Sequence, residues 1–402
     1  MGYLADRDVN RGRQPEIDCL KAMCIVPMIL LHTYENCAAE PEGFFHVLRV
    51  LETLTGAAAF MLCMGLGMRY SRHQSPKEYV HRGLELLTLG QLLNLLRDAI
   101  PCLIAWWCTG KKFFLANSLL VIQSDVLSFA GFAFLLLAVF SRLKVRGGTV
   151  FAVGLGMNVG GFLLSGVFRT TGNYLADQAL GFFIVTDAES YFPLCSYFVF
   201  VALGYWLGEM YPRIQDKDGL SARVMLILGP IAAAYYILRA CVPFPGMPGF
   251  LTLEQYVMNP GTDALASCCV SLFLLALFHR LLRLRGGQAP GFVSHLSGNI
   301  TQYFCLSYLF LTPVGTLLLA TRGYLLPGAW IPLVYGIFVL AATSGIIEWN
   351  NRHRQMSFLR LEGRKRVAAY SIVWILTFAI LIYVYPKVEA YATLWNDYLM
   401  MN

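Results

Sequence analysis

The run DCLKAMCIVPMILLH at residues 18–32 sets an acid and a lysine at one end of an apolar stretch and a histidine at the other. An α-helix rises about 1.5 Å per residue, so Lys21 and His32 stand roughly 16 Å apart along the axis. Eleven steps of about 100° bring them to within roughly 20° of one line, on one face. Glu35 follows His32 by three residues, close enough to orient its ring. A neutral imidazole held by a carboxylate can take the proton from an attacking hydroxyl or amine. His32 is therefore the candidate general base. Glu35, or Glu52 in the next apolar run, would hold the ring and stabilise the imidazolium. Lys21 supplies a cation near the opposite end, with Asp18 leaning to the same side. A lysine at a helix end reaches for the interface as a matter of course; the spacing of the pair is what points to a cavity or pathway.

These residues need a frame, and the frame is lipid. Of 402 residues, 57% are hydrophobic and 14% charged, with a mean hydropathy of +0.57; a soluble chain carries about 25% charge. A span needs roughly 20 mostly apolar residues. Eleven stretches qualify: 17–36, 45–69, 83–101, 114–141, 147–168, 191–210, 223–243, 262–282, 299–321, 327–348 and 366–386. Two more, 101–112 and 176–186, are apolar enough to be re-entrant or interfacial. The expectation is an all-α bundle of 10–11 transmembrane helices in one domain over 17–386. Residues 1–16 would be a cytoplasmic segment and 387–402 a short tail on the other side. No cleavable leader is expected, because the first 17 residues are polar and charged.

Orientation follows from Lys and Arg. With the N-terminus inside, 22 of them fall on cytoplasmic stretches and 8 on the opposite side, leaving Lys21 within the first span. The net charge of +7 is thus a membrane signature and implies no nucleic acid. The expected location is a bacterial cytoplasmic membrane, as a multi-pass protein.

Other features are less specific. The eleven cysteines are scattered without zinc spacing; Cys102 and Cys108 could pair on an oxidising face. Asp125 falls midway along the fourth stretch, as a cavity wall or as a structural ion pair. Asn94, Arg97 and Asp98 close the third and are expected to be a solvated helix end, with contact to the acceptor as the alternative. GLGM at 154–157, with Gly160 and Gly161, reads as close helix packing. EGRKR at 362–366 reads as a positive-inside anchor.

The Asp18-Cys19-Leu20-Lys21-Ala22 motif, with His32 after ten intervening residues, resembles the opening signature of the membrane acyltransferase 3 family. FMLCMGLGM at 60–68 is similar to that family's second helix, without its usual Ser-Gly pair. YFPLCSYFVFVALGYWLG at 191–208 is also like these proteins and the related heparan-glucosaminide acetyltransferases. GNITQYFCLSY at 298–308 has the family's late-helix opening, with Tyr308 where a histidine is common. The resemblance implies an acyltransferase that takes an acyl group, acetyl by preference, from cytoplasmic acyl-CoA. It would place that group on a glycan or lipid-linked acceptor, such as a cell-surface polysaccharide, at the outer face. It implies Lys21, Arg82, Arg69 and Arg72 as contacts for the polyanionic donor. Asp125, Arg49 and Asp18 are candidate acceptor contacts. The implied partners are acetyl-CoA, the acceptor and membrane lipids, with a homodimer allowed; no metal is expected. The rival reading is a proton-coupled secondary transporter of a small polar solute, with Lys21, His32 and Asp125 as its relay.

Overall fold

Helix ends in this chain are marked by residues that need no intrahelical partner. Pro15 and Pro76 occupy first turns, where a missing N–H costs nothing. Ser75 and Glu78 form a reciprocal capping box ahead of Pro76. The computed structural model describes residues 3–10, 12–40, 43–70, 74–188, 190–353 and 363–392. Arg11, Arg72, Arg354 and Arg360, counted among the basic residues above, lie outside the described residues.

Among the described residues all regular structure is helical, with three isolated bridges and no strand. In chain order the helices are α1 (Pro15–Cys37), α2 (Phe44–Leu51), α3 (Ala57–Tyr70), α4 (Pro76–Asn94), α5 (Ile100–Thr109), α6 (Lys112–Asn117), α7 (Val126–Arg142), α8 (Gly147–Val167) and α9 (Tyr174–Gly181). Then come α10 (Leu194–Met210), α11 (Lys217–Cys241), α12 (Leu253–Met258), α13 (Gly261–Leu284), α14 (Gly291–Gly298), α15 (Ile300–Thr321), α16 (Trp330–His353) and α17 (Gly363–Ala392).

Nine helical runs among the described residues are long and apolar enough to cross a membrane. Two further expected passes are assembled from pieces. The stretch read as 45–69 is α2 and α3 joined by a π-helical turn at Glu52–Gly56. The stretch read as 114–141 is not one helix: α6 and a 3-10 turn at Ser118–Ile122 end at an extended Gln123, and α7 starts afresh at Val126. Residues 101–112 are not a separate re-entrant piece either. A second π turn, Leu95–Ala99, fuses α4 to α5 in a single run of 34 residues, Pro76–Thr109. The chain is a multi-pass integral membrane protein.

The packing sets two apolar cores against α1. One joins α3, α4, α7, α8, α10 and α13; the other joins α14, α15 and α16. Both use α1, through Leu20 and Cys24 on one side and Ile25 and Ile29 on the other. Helix α10 is the most buried of the candidate spans, and α11 and α17 face largely outward. The α3–α10 contact is close enough to require glycine on both sides. A Cβ at Gly65 would lie 2.0 Å from the Val201 carbonyl, and one at Gly204 would lie 2.0 Å from that of Leu62. Near the N-terminal end, buried Glu16 accepts from Tyr211 (2.5 Å) and Lys217 (2.8 Å). That ties α1 to the ends of α10 and α11.

Candidate active site

Helix α1 carries His32 one turn before its C-terminal end, on the face toward α15. Its Nδ1 lies 2.7 Å from Glu35 Oε2, and the other Glu35 oxygen accepts from Arg49 at 3.4 Å. Arg49 comes from α2 and lies 5.1 Å from the Phe45 ring centre. His32, Glu35 and Arg49 are therefore together, with side chains 21%, 32% and 28% exposed. Assigning the proton to Nδ1, where it meets the carboxylate, leaves the Nε2 lone pair free. No described residue hydrogen-bonds Nε2. This is the arrangement a general base requires: one nitrogen oriented, the other open.

Glu52 does not hold the ring. Its Oε1 accepts from Tyr256 of α12 at 3.3 Å, and its Oε2 is buried without a hydrogen-bond partner. The π turn and Gly56 make room for it; a Cβ at Gly56 would lie 2.0 Å from Oε2. Burial, and then the Glu52 carboxylate, push the Tyr256 phenol well above its usual value, so it stays a donor. The Tyr197 hydroxyl donates to the Tyr256 carbonyl and seats α12. Glu52 and Tyr256 also line a cavity of about 20 Å³, room for one water, with Gln255, Asn259, Asp263 and Ser267.

Behind His32 lies a cluster that sequence reading placed in solvent. The Tyr308 ring centre is 5.0 Å from that of His32, and the Arg97 guanidinium is 4.5 Å from the centre of the same tyrosine ring. Arg97 and Asp98 are 4% and 3% exposed, which corrects the expectation of a solvated helix end. Arg97 bonds Asp98 at 2.8 Å and reaches Asp125 at 3.5 Å, and Gln123 donates to Asp98 at 2.5 Å. The π turn at Leu95–Ala99 lets both residues point inward. Asp125 does not lie midway along a helix; it caps α7, accepting from the N–H groups of Leu127 and Ser128 at 3.0 Å each. Sequence reasoning missed this cluster and Tyr256. The available signal was three polar residues, Asn94, Arg97 and Asp98, inside one apolar run, followed by Gln-Ser-Asp in the next.

The donor-side candidates lie apart from His32. Lys21 is half-buried, one turn before Cys24 on the α1 face that meets α3, and makes no ion pair with a described residue. Arg82 pairs with Glu85 at 2.7 Å. Arg69 pairs with Glu209 at 2.8 Å and lies over the Tyr205 ring. Arg72 lies outside the described residues. Asp18 is buried, taking Arg13 on one oxygen and Ser297 on the other, both at 2.5 Å. It thereby anchors α14 to α1. Cys102, buried, and Cys108, exposed, are both free thiols. Among the described residues no group of three or more His, Cys, Asp or Glu could hold a metal ion.

The His32 imidazole is thus oriented by a carboxylate within a multi-pass helical bundle. Residues 13–240, more than half of the chain, match the family of the heparan-alpha-glucosaminide N-acetyltransferase catalytic domain, and the chain belongs to that family. The protein is by this membership a membrane acetyltransferase. The match supports the heparan-glucosaminide side of the resemblance seen in the sequence, rather than the acyltransferase 3 label. It takes in α1 to α10 and nearly all of α11, hence His32, Glu35, Arg49, Glu52 and Arg97, but not Tyr256 or Tyr308. No curated protein and no solved structure matches the chain.

Proposed function

We propose that the protein transfers an acetyl group from acetyl-CoA, taken on the side that carries the N-terminus, to a hydroxyl or amine of a glycan or lipid-linked acceptor at the opposite face. The carrying observation is the His32–Glu35 pair, with Nδ1 held and Nε2 open. The acceptor's nucleophilic atom gives its proton to Nε2 as it attacks the thioester carbonyl. The C–S bond then breaks, and the proton leaves with the CoA thiolate. Glu35, steadied by Arg49, stabilises the imidazolium between the two steps. Lys21 is the donor-side contact: a cation with no ion-pair partner among the described residues suits a phosphate. Arg82 and Arg69 reach the donor by exchanging their carboxylate partners for phosphate oxygens. Glu52 and Tyr256 are acceptor-side contacts in this reading.

The transporter alternative gains the broken pass at 123–125, a feature common where solutes bind. It leaves the base geometry at His32 without a role.

The test is a thermal-shift titration of the detergent-purified protein with acetyl-CoA, beside Lys21→Gln. A ligand that binds only the folded state adds roughly 2.7 kcal/mol at a hundredfold excess over its Kd. A saturable upward shift, weakened in Lys21→Gln, is expected. No shift with acetyl-, propionyl- or succinyl-CoA overturns the reading, and solute flux without CoA would replace it.

A further inference from the structure

A cavity of about 400 Å³ lies between α8 and α12, lined by Phe162, Leu163 and Gly166 of α8, by Met247, and by Glu254 and Met258 of α12. Its walls are held in place. Buried Arg239 of α11 donates to the Pro248 carbonyl at 2.7 Å, which fixes the chain beside Met247. Asn158 of α8 donates to the Asn259 carbonyl at 2.9 Å, which fixes the end of α12. Glu254 and Met258 stand four residues apart, on one side of α12. Tyr256 leaves the same helix on another side and donates to Glu52. The short helix therefore separates this cavity from the small one at Glu52.

The mouth of the cavity meets two different surroundings. Val159, Leu163 and Val167 follow one another at four-residue steps along α8 and are all exposed. In a membrane-spanning helix such an apolar stripe faces lipid. Leu163 belongs both to that stripe and to the cavity wall. At the rim Arg169, just past the end of α8, bonds Asp187 and Glu254 at 2.8 Å each, with side chains 41%, 43% and 47% exposed. Charged groups so exposed belong at the water interface, because hydrocarbon excludes them. An apolar chamber open to lipid on one side and to an ion cluster on the other fits an amphiphile, a hydrocarbon chain with a polar head. Two carboxylates share one guanidinium at the rim, so a phosphate head would meet like charge. Sugar hydroxyls would instead donate to those carboxylates.

We propose that this cavity takes the hydrocarbon chain of a glycolipid, with the sugar head at the Arg169 rim. That the glycolipid is the acceptor rests on the acetyl-transfer reading; that it binds does not. The test places the full-length protein in phosphatidylcholine nanodiscs with a monoglucosyl diacylglycerol carrying a diazirine in one chain. Photolabelling is expected on Leu163, Met247 and Met258, displaced by unlabelled glycolipid but not by phosphatidylglycerol or glucose. A Cβ at Gly166 would meet nothing within 4 Å, so Gly166→Leu narrows the cavity without a clash. That variant should cut the labelling about tenfold and leave the acetyl-CoA thermal shift unchanged. Leu163→Gln, which makes one wall polar, should weaken the labelling too. Labelling spread alike over the lipid-facing helices, displaced equally by phosphatidylglycerol, or undiminished in both variants overturns the proposal.

Discussion

Two groups of polar side chains meet at the Tyr308 ring, one through His32 and the other through Arg97. In the first, His32, Glu35 and Arg49 are each between a fifth and a third exposed. In the second, Arg97, Asp98 and Asp125 are sealed to within 5%. Both contain carboxylates paired with a cation, and both lie inside a helical bundle. Access separates them. The exposed group can meet a substrate and return to its resting protonation state, so it can turn over. The sealed group is suited to holding a fixed charge pattern against the tyrosine ring.

The sharpest way to break this comparison is His32→Ala. Loss of a general base costs about 10²- to 10⁴-fold in rate; acetyl transfer should fall by that much while the acetyl-CoA thermal shift persists. Unchanged transfer would remove His32 from the chemistry. Arg97→Ala should act on stability instead. It strands two carboxylates in a sealed site, and breaking a buried pair costs about 3–5 kcal/mol. Thermal unfolding should show this, and a stable Arg97→Ala with low activity would move Arg97 to the exposed group's side. Glu35→Gln keeps the shape but loses the charge that stabilises the imidazolium. A hydrogen bond to a charged group is worth about 1.5–3 kcal/mol. Acetyl transfer should therefore fall by about tenfold or somewhat more, less than for His32→Ala, with Tm little changed. Arg49→Ala is the mildest: a partly exposed pair contributes about 0–1 kcal/mol, so Tm should barely move.

Much of this was legible in the sequence. Hydropathy finds the long passes because each is a continuous apolar run. The three-residue step from His32 to Glu35 finds their 2.7 Å contact because helical periodicity is rigid. The break at Gln123–Asp125 escaped because three polar residues inside a long apolar run barely lower its mean hydropathy. Arg97 and Asp98 escaped because a helix end in water and a π turn in protein look alike in one dimension. Tyr256 was invisible because it reaches Glu52 from a helix about 200 positions away. Tyr308 was noticed only as a departure, yet its ring joins the two groups.

The two π turns carry a consequence for chain length. A π turn holds one residue more than the α-helical turn it replaces. Each of these two holds a site acid, Glu52 in one and Asp98 in the other. Deleting one residue from Leu95–Ala99 would leave an unbroken, equally apolar α-helix. It would leave α5 close to its present orientation relative to α4, because one wide turn is replaced by one ordinary turn. Such a chain would still insert and cross the membrane, with the same hydropathy profile, but without the wide turn that holds Arg97 and Asp98. In this protein a single-codon deletion at either turn should therefore disturb the acid that the turn carries while sparing the packing of the helix beyond it.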